Sequence, residues 1–242
     1  MSYFRIAIRP FMRVAEWIGG HELIVLIAMT LLVTTVWGFV ELAEMVKGGG
    51  THEFDERVVA SMRRADDPAK PIGPPWLAEM GRDITALGGV VVLGLMTVGV
   101  GGYLMLDGKY SASAFVVGAT ASGLLITGLL KAQFDRPRPD IVPHLSIVHT
   151  TSFPSGHSMM SAIVYLTLGS LLTRLVSNRR LRFYVLSVAV TLTMLVGVSR
   201  VYMGVHYPTD VLAGWLAGLS WATICWLVAR RWQQRGRIEP RS

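Results

Sequence analysis

With 52% hydrophobic and 16% charged side chains over 242 residues, and a mean hydropathy of +0.47, the chain is too apolar for an ordinary soluble domain. Its formal net charge of +7 does not point to nucleic acid, because much of the basic excess sits beside apolar runs, where it sets membrane topology. The lone cysteine, Cys225, excludes an intrachain disulfide and a multi-cysteine metal site.

In chain order, residues 1–21 place Arg5, Arg9 and Arg13 among Phe4, Ile6, Ile8, Phe11 and Val14. This is a basic amphipathic lead-in expected to lie on the membrane surface. Residues 23–40 are uncharged over 18 positions, which predicts a spanning helix retained in the mature chain rather than a cleaved signal. Residues 44–83 form the largest polar segment, broken by Gly48, Gly49 and Gly50 and by Pro68, Pro71, Pro74 and Pro75. Within it, Phe54, Val58 and Met62 recur at a spacing of four and predict a short amphipathic helix over 54–64. Trp76 and Leu77 then anchor the return to the interface. The segment reads equally as a substrate-facing cap and as a loop lying on the headgroups.

Five more apolar runs follow, at 84–106, 111–130, 157–173, 183–199 and 208–229. The expected fold is all-α: one integral membrane domain over 1–242, built as a six-helix transmembrane bundle. Ala114, Gly118 and Ser122 repeat at four-residue spacing, as do Gly214 and Gly218, so both faces are expected to pack inside the bundle. Six spans put thirteen basic residues on the side of the termini, which makes that side cytoplasmic. The ends of the third and fifth helices and the starts of the fourth and sixth then share the opposite, outward surface.

Three polar pieces occupy those four ends. Lys131, Arg136 and Arg138 lie in the run from Lys131 to Pro139, Ser155, Gly156 and His157 in P-S-G-H, and Arg200, His206 and Asp210 between Ser199 and Asp210. A helix start after Gly156 offers unpaired N–H groups and a close backbone approach, which suits an anion, although Ser155 is also an ordinary helix cap. Lys131, Arg138 and Arg200 add positive charge and forked donors for phosphate oxygens; singly, each also fits a cation snorkelling to headgroups. Arg136 stays ambiguous, since adjacent Asp135 is placed to neutralise it. His206 and Asp210 are four apart with Pro208 between them, so the carboxylate can orient the ring and leave its other nitrogen a lone pair, making His206 a candidate nucleophile. His144, His149 and Asp140 share the outer loop but match no strong metal-ligand spacing.

Taken together the pieces resemble the signature of the type 2 phosphatidic acid phosphatase superfamily: KxxxxxxRP at Lys131–Pro139, PSGH at Pro154–His157 and SRxxxxxHxxxD at Ser199–Asp210. Every signature position is matched in order, and the resemblance covers roughly the last 110 residues. It implies that His206 attacks phosphorus to form a phosphohistidine, with Asp210 orienting it. His157 would protonate the departing oxygen and then help activate water. Lys131, Arg138, Arg200, Ser155 and the Gly156 N–H would hold the phosphate, with no metal and no cofactor. The expected substrate is a membrane lipid phosphate or diphosphate at the outer leaflet of a bacterial inner membrane. Undecaprenyl diphosphate leads, followed by phosphatidylglycerol phosphate, phosphatidic acid and lipid A phosphate. A non-catalytic anion or lipid transporter and a vanadate haloperoxidase are the competing classes. Homodimerisation stays open.

Overall fold

The computed structural model describes residues 22–146 and 150–234. The basic lead-in and His149 therefore lie outside the described residues. Among these, all regular structure is helical, in eight elements: α1 (Glu22–Lys47), α2 (His52–Ser61), α3 (Pro75–Ala86), α4 (Val90–Leu106), α5 (Tyr110–Lys131), α6 (Gly156–Leu175), α7 (Arg179–Tyr202) and α8 (Pro208–Gln234). The helix starts are written in the sequence. Asn178 caps α7 by accepting from the Arg180 N–H at 2.9 Å, and Ser155 caps α6 by accepting from the Ser158 N–H. Pro208 opens α8, where its missing N–H costs nothing. After Lys47 the chain breaks at the glycine triplet, with Gly49 at φ +74°.

By length and composition α1, α5, α7 and α8 can each cross a membrane. α3 and α4 together make a fifth span if the 47° bend between them, at Leu87, Gly88 and Gly89, is one broken helix. The sequence expected six spans. The difference is α6, which lies at the centre of the bundle and buries Ser158, Ser161 and Thr167 against protein rather than lipid. α6 is the hub: α7 and α8 pack along it, α5 closes a third side, and α1 lies on α8. Its core residues Met159, Ile163 and Val164 join Leu93 of α4 and Val116 of α5 in the main apolar cluster. Leu95, Val98, Leu106, Leu125 and Phe183 face outward, the exposed apolar belt that a bilayer would cover.

The two glycine readings divide. A Cβ on Gly214 would stand 2.6 Å from the Ser155 carbonyl, and one on Gly218 2.6 Å from the Met159 carbonyl, so these residues set the close approach of α8 to α6. Ala114 and Gly118 instead face outward, with nothing within 4 Å of a Cβ on Gly118. α5 packs instead through Val116, Ala119, Gly123 and Thr127, where a Cβ on Gly123 would stand 2.8 Å from Ile163 Cδ1, so the close approach to α6 is made at that glycine. A similar correction applies to α2, which runs over His52–Ser61. Phe54 is 56% exposed, whereas Asp55 and Val59 are fully buried. The inward face is chosen by what Asp55 binds, a polar requirement that apolar spacing does not reveal.

Candidate active site

Four helix ends converge as parity demanded. α5 delivers Lys131 and the last turn of α7 delivers Arg200, while α6 begins with Gly156 and His157 and α8 carries Asp210 in its first turn. The starts of α6 and α8 are tied directly: the Ser155 N–H donates to the Asp210 carbonyl at 2.9 Å. Between α7 and α8 the chain turns at Gly204, φ +70°, where a Cβ would lie 2.4 Å from Arg63 Nη2. Arg63 in turn donates to the Tyr202 carbonyl at 2.9 Å, capping α7 just before the turn that presents His206.

His206 is 2% exposed and Asp210 fully buried. His206 Nδ1 lies 3.4 Å from Asp210 Oδ2, which also accepts from the Tyr207 N–H at 2.9 Å and from the Ser152 hydroxyl. On the other edge of the ring, His206 Nε2 is 3.1 Å from Arg138 Nη1. A guanidinium only donates, so Nε2 is the acceptor and Nδ1 carries the proton toward Asp210. Burial pushes the His206 imidazole down, to about 3, with Asp210 opposing only in part. The ring is therefore neutral, with its lone pair on Nε2.

Arg138 meets that lone pair directly, and Lys131 and Arg200 lie within electrostatic reach of Arg138. Arg138 is held by the Val205 and Thr150 carbonyls, at 2.6 Å and 2.8 Å, and Lys131 Nζ by the Thr151 carbonyl at 2.7 Å. Arg200, 2% exposed, donates from Nη1 to Thr85 of α3 at 3.0 Å, while its buried Nε has no partner. An orphaned guanidinium donor beside two further cations fits an anionic oxygen. His157 feels Arg200, His206, Arg138 and Lys131 electrostatically and rests against the Gly88–Gly89 bend. A Cβ on Gly156 would meet Lys131 Cε at 3.3 Å, so the backbone there lies close to the ammonium stem. All eight residues expected from the sequence gather at this end.

Four others were missed or misread. Arg136 does not pair with Asp135, which is exposed; its Nη1 donates to Asp210 Oδ1 at 2.6 Å and its Nη2 to Asp55 Oδ2 at 2.7 Å. Burial works against its charge, yet Asp210 and Asp55 more than offset it and its pKa is raised. Thr209 and Ser152 complete the lining. Asp55 lies 81 residues from Arg136, and no local pattern announces that contact. Ser152 precedes P-S-G-H by two positions and carries no periodic signal. His144 Nε2 is 2.7 Å from the Pro139 carbonyl, and among the described residues no three His, Cys, Asp or Glu side chains gather as a metal site.

An all-helical membrane bundle whose one end holds a basic layer, a buried His–Asp pair and a second histidine defines a lipid phosphatase. The comparisons with known proteins agree. The PAP2 superfamily profile matches residues 112–234. The chain is 36% identical over 153 residues to phosphatidylglycerophosphatase B of Bacillus subtilis, covering 61% of this chain and 73% of that one. It is 39% identical over 70 residues to an undecaprenyl-diphosphatase of Sulfolobus acidocaldarius, 29% of each chain. The crystal structure of a transmembrane PAP2-type phosphatidylglycerolphosphate phosphatase from Bacillus subtilis superposes with a TM-score of 0.75 at 29% identity, over 83% of this chain and 96% of that one. This chain belongs to the PAP2 superfamily.

Proposed function

We propose that the protein dephosphorylates a membrane lipid phosphate through a phosphohistidine on His206. The observation that carries this reading is the tautomer of His206: Nδ1–H points to Asp210, whose Oδ2 accepts from it, and Nε2 presents its lone pair beside Arg138. In the first step Nε2 forms a bond to phosphorus while the bond to the lipid oxygen breaks. His157 gives that oxygen a proton and leaves a neutral lipid alcohol from a monoester. In the second step water attacks phosphorus, His157 takes its proton, the P–N bond breaks and inorganic phosphate leaves. Lys131, Arg138, Arg200, Ser155 and the Gly156 N–H hold the equatorial oxygens, where charge must be stabilised throughout. These cations occupy the role a divalent ion would otherwise fill, so the reaction needs none.

Phosphatidylglycerol phosphate stands first as substrate, because the Bacillus subtilis relative that carries that activity in its name matches across most of its length. Undecaprenyl diphosphate, the leading expectation from the sequence, moves behind it, because its named relative matches only 29% of each chain. For topology, six crossings with both termini cytoplasmic and the site facing outward remain the reading favoured by the basic residues.

The deciding experiment is phosphate release by the purified chain in detergent from a panel of lipid phosphates, with His206→Ala and His157→Ala alongside. Both variants are expected to be inactive, and only the parent to yield an acid-labile phosphoenzyme. A His206→Ala protein that releases phosphate as fast as the parent would overturn the phosphohistidine on His206, and a parent that binds the lipid phosphates but releases none would favour anion or lipid binding without chemistry.

A further inference from the structure

Asp55 lies in α2, outside the residues 112–234 that the superfamily profile matches and outside all three signature pieces. It is fully buried, and a carboxylate without solvent needs partners for both oxygens. It has them. Asp55 Oδ1 accepts from the Thr209 N–H at 3.1 Å, and Oδ2 from the Thr209 hydroxyl at 2.6 Å and from Arg136 Nη2 at 2.7 Å. Arg136 Nη1 donates in turn to Thr209 Oγ1 at 2.8 Å and to Asp210 Oδ1 at 2.6 Å. Tyr207 covers the guanidinium, its ring centroid 4.4 Å from Cζ.

The Asp210 carboxylate is thereby divided. Oδ1 faces Arg136, while Oδ2 faces His206, Ser152 and the Tyr207 N–H. Arg136 alone would draw the Asp210 charge toward Oδ1, away from the imidazole. A second carboxylate on the far side of the guanidinium offsets that pull and fixes the fork between two acceptors.

Resting on the phosphotransfer at His206 proposed above, we propose that Asp55 is a positioning residue for the nucleophile, acting through Arg136 and Thr209 to hold Asp210 in register with His206. The imidazole gains positive charge as Nε2 bonds to phosphorus, so the field of Asp210 matters more in the transition state than in the bound complex. None of the Asp55 contacts reaches Lys131, Arg138 or Arg200. Substrate binding is therefore spared. The polar segment of 44–83 supplies part of the catalytic geometry from outside the signature.

The test measures steady-state phosphate release in detergent, using the lipid phosphate the parent hydrolyses fastest, together with thermal midpoints. Asp55→Asn keeps the shape and removes the charge. It is expected to lower kcat about 10- to 100-fold, as for other residues that orient an active-site ligand, with KM within about threefold and the midpoint little changed. Arg136→Lys keeps one charge but cannot fork between two carboxylates, and is expected to show the same split; it decides the matter if the asparagine variant does not fold. Parent-like kcat overturns the inference. So does a loss in which KM rises as far as kcat falls, or which tracks a lowered midpoint in both variants, since that marks mere anchoring of α2. His206→Ala runs in parallel: activity there defeats the phosphohistidine reading itself, whereas a dead His206→Ala beside a fully active Asp55→Asn defeats this inference alone.

Discussion

Arg138 Nη1 stands 3.1 Å from His206 Nε2, so the cation meant for phosphate also touches the nitrogen meant to attack it. The contact fixes the tautomer before substrate arrives, and an incoming phosphoryl oxygen can take over the guanidinium donors as Nε2 is released to attack. Arg138→Lys keeps the charge and loses the planar fork held by Thr150 and Val205. Its kcat/KM is expected to fall about 100-fold, roughly the loss of one well-placed transition-state donor. Phosphate-release kinetics check this, and a fall of less than about threefold would show that only charge matters there.

Asp210 acts on the nucleophile and touches none of the phosphate-holding side chains. Asp210→Asn is therefore expected to lower kcat about 1,000-fold or more, because an amide can turn its NH2 toward His206 and favour the wrong tautomer. KM should stay within about threefold. A defect confined to KM would remove Asp210 from the orienting role.

The pH dependence follows from burial of His206, which holds its imidazole down at about 3. An imidazole attacks phosphorus only when unprotonated, and a lowered pKa keeps it unprotonated as pH falls. Activity should therefore not titrate away through the ordinary histidine range near 6.5 on account of the nucleophile. After correction for substrate ionisation, kcat/KM is expected not to fall between pH 7 and 5, since His206 stays unprotonated and the acid, His157, gains rather than loses a proton on that descent. A tenfold drop per pH unit below about 6.5 would mean that His206 is hydrated and titrates normally.

Chelation is the fourth test. The clamp is built from Lys131, Arg138 and Arg200, and the carboxylates nearest it, Asp210 and Asp55, are already engaged by Arg136. Neither has the open oxygens that hold magnesium. Excess chelator is expected to leave phosphate release within about twofold of the untreated rate. Abolition by chelator with rescue by added metal would overturn the metal-free mechanism.

Much of this was legible because it is local. Apolar runs of spanning length locate the helices, a capping serine and a proline mark where α6 and α8 begin, and alternation of direction brings Lys131, His157, Arg200 and Asp210 to one end. What was not legible depends on distance in sequence. Asp55 and Arg136 meet only because α2 folds onto α8, so Asp135, the near neighbour, was the tempting partner and the wrong one. α6 is the expected crossing that length and composition leave outside the candidate spans. A central helix shielded by its neighbours can keep Ser158, Ser161 and Thr167. Phe54, by contrast, sits outward because burying the Asp55 network fixes the rotation of α2.

Small residues at helical spacing looked alike in sequence and part company in space, which gives the last prediction. At Gly214 an added methyl would meet the Ser155 carbonyl at 2.6 Å, and that carbonyl belongs to the helix start that forms the phosphate cradle. The strand of backbone there cannot step aside, because the Ser155 N–H is bonded to the Asp210 carbonyl. Gly214→Ala is therefore expected to destabilise the protein by about 1–3 kcal/mol and to lower activity through the displaced cradle. Gly118→Ala has open space around it and should leave both unchanged. Thermal midpoints in detergent, read with phosphate release, separate the two. Equal damage from both would mean that the outward face of α5 is packed by something beyond this chain, with a second copy the first occupant to test by crosslinking.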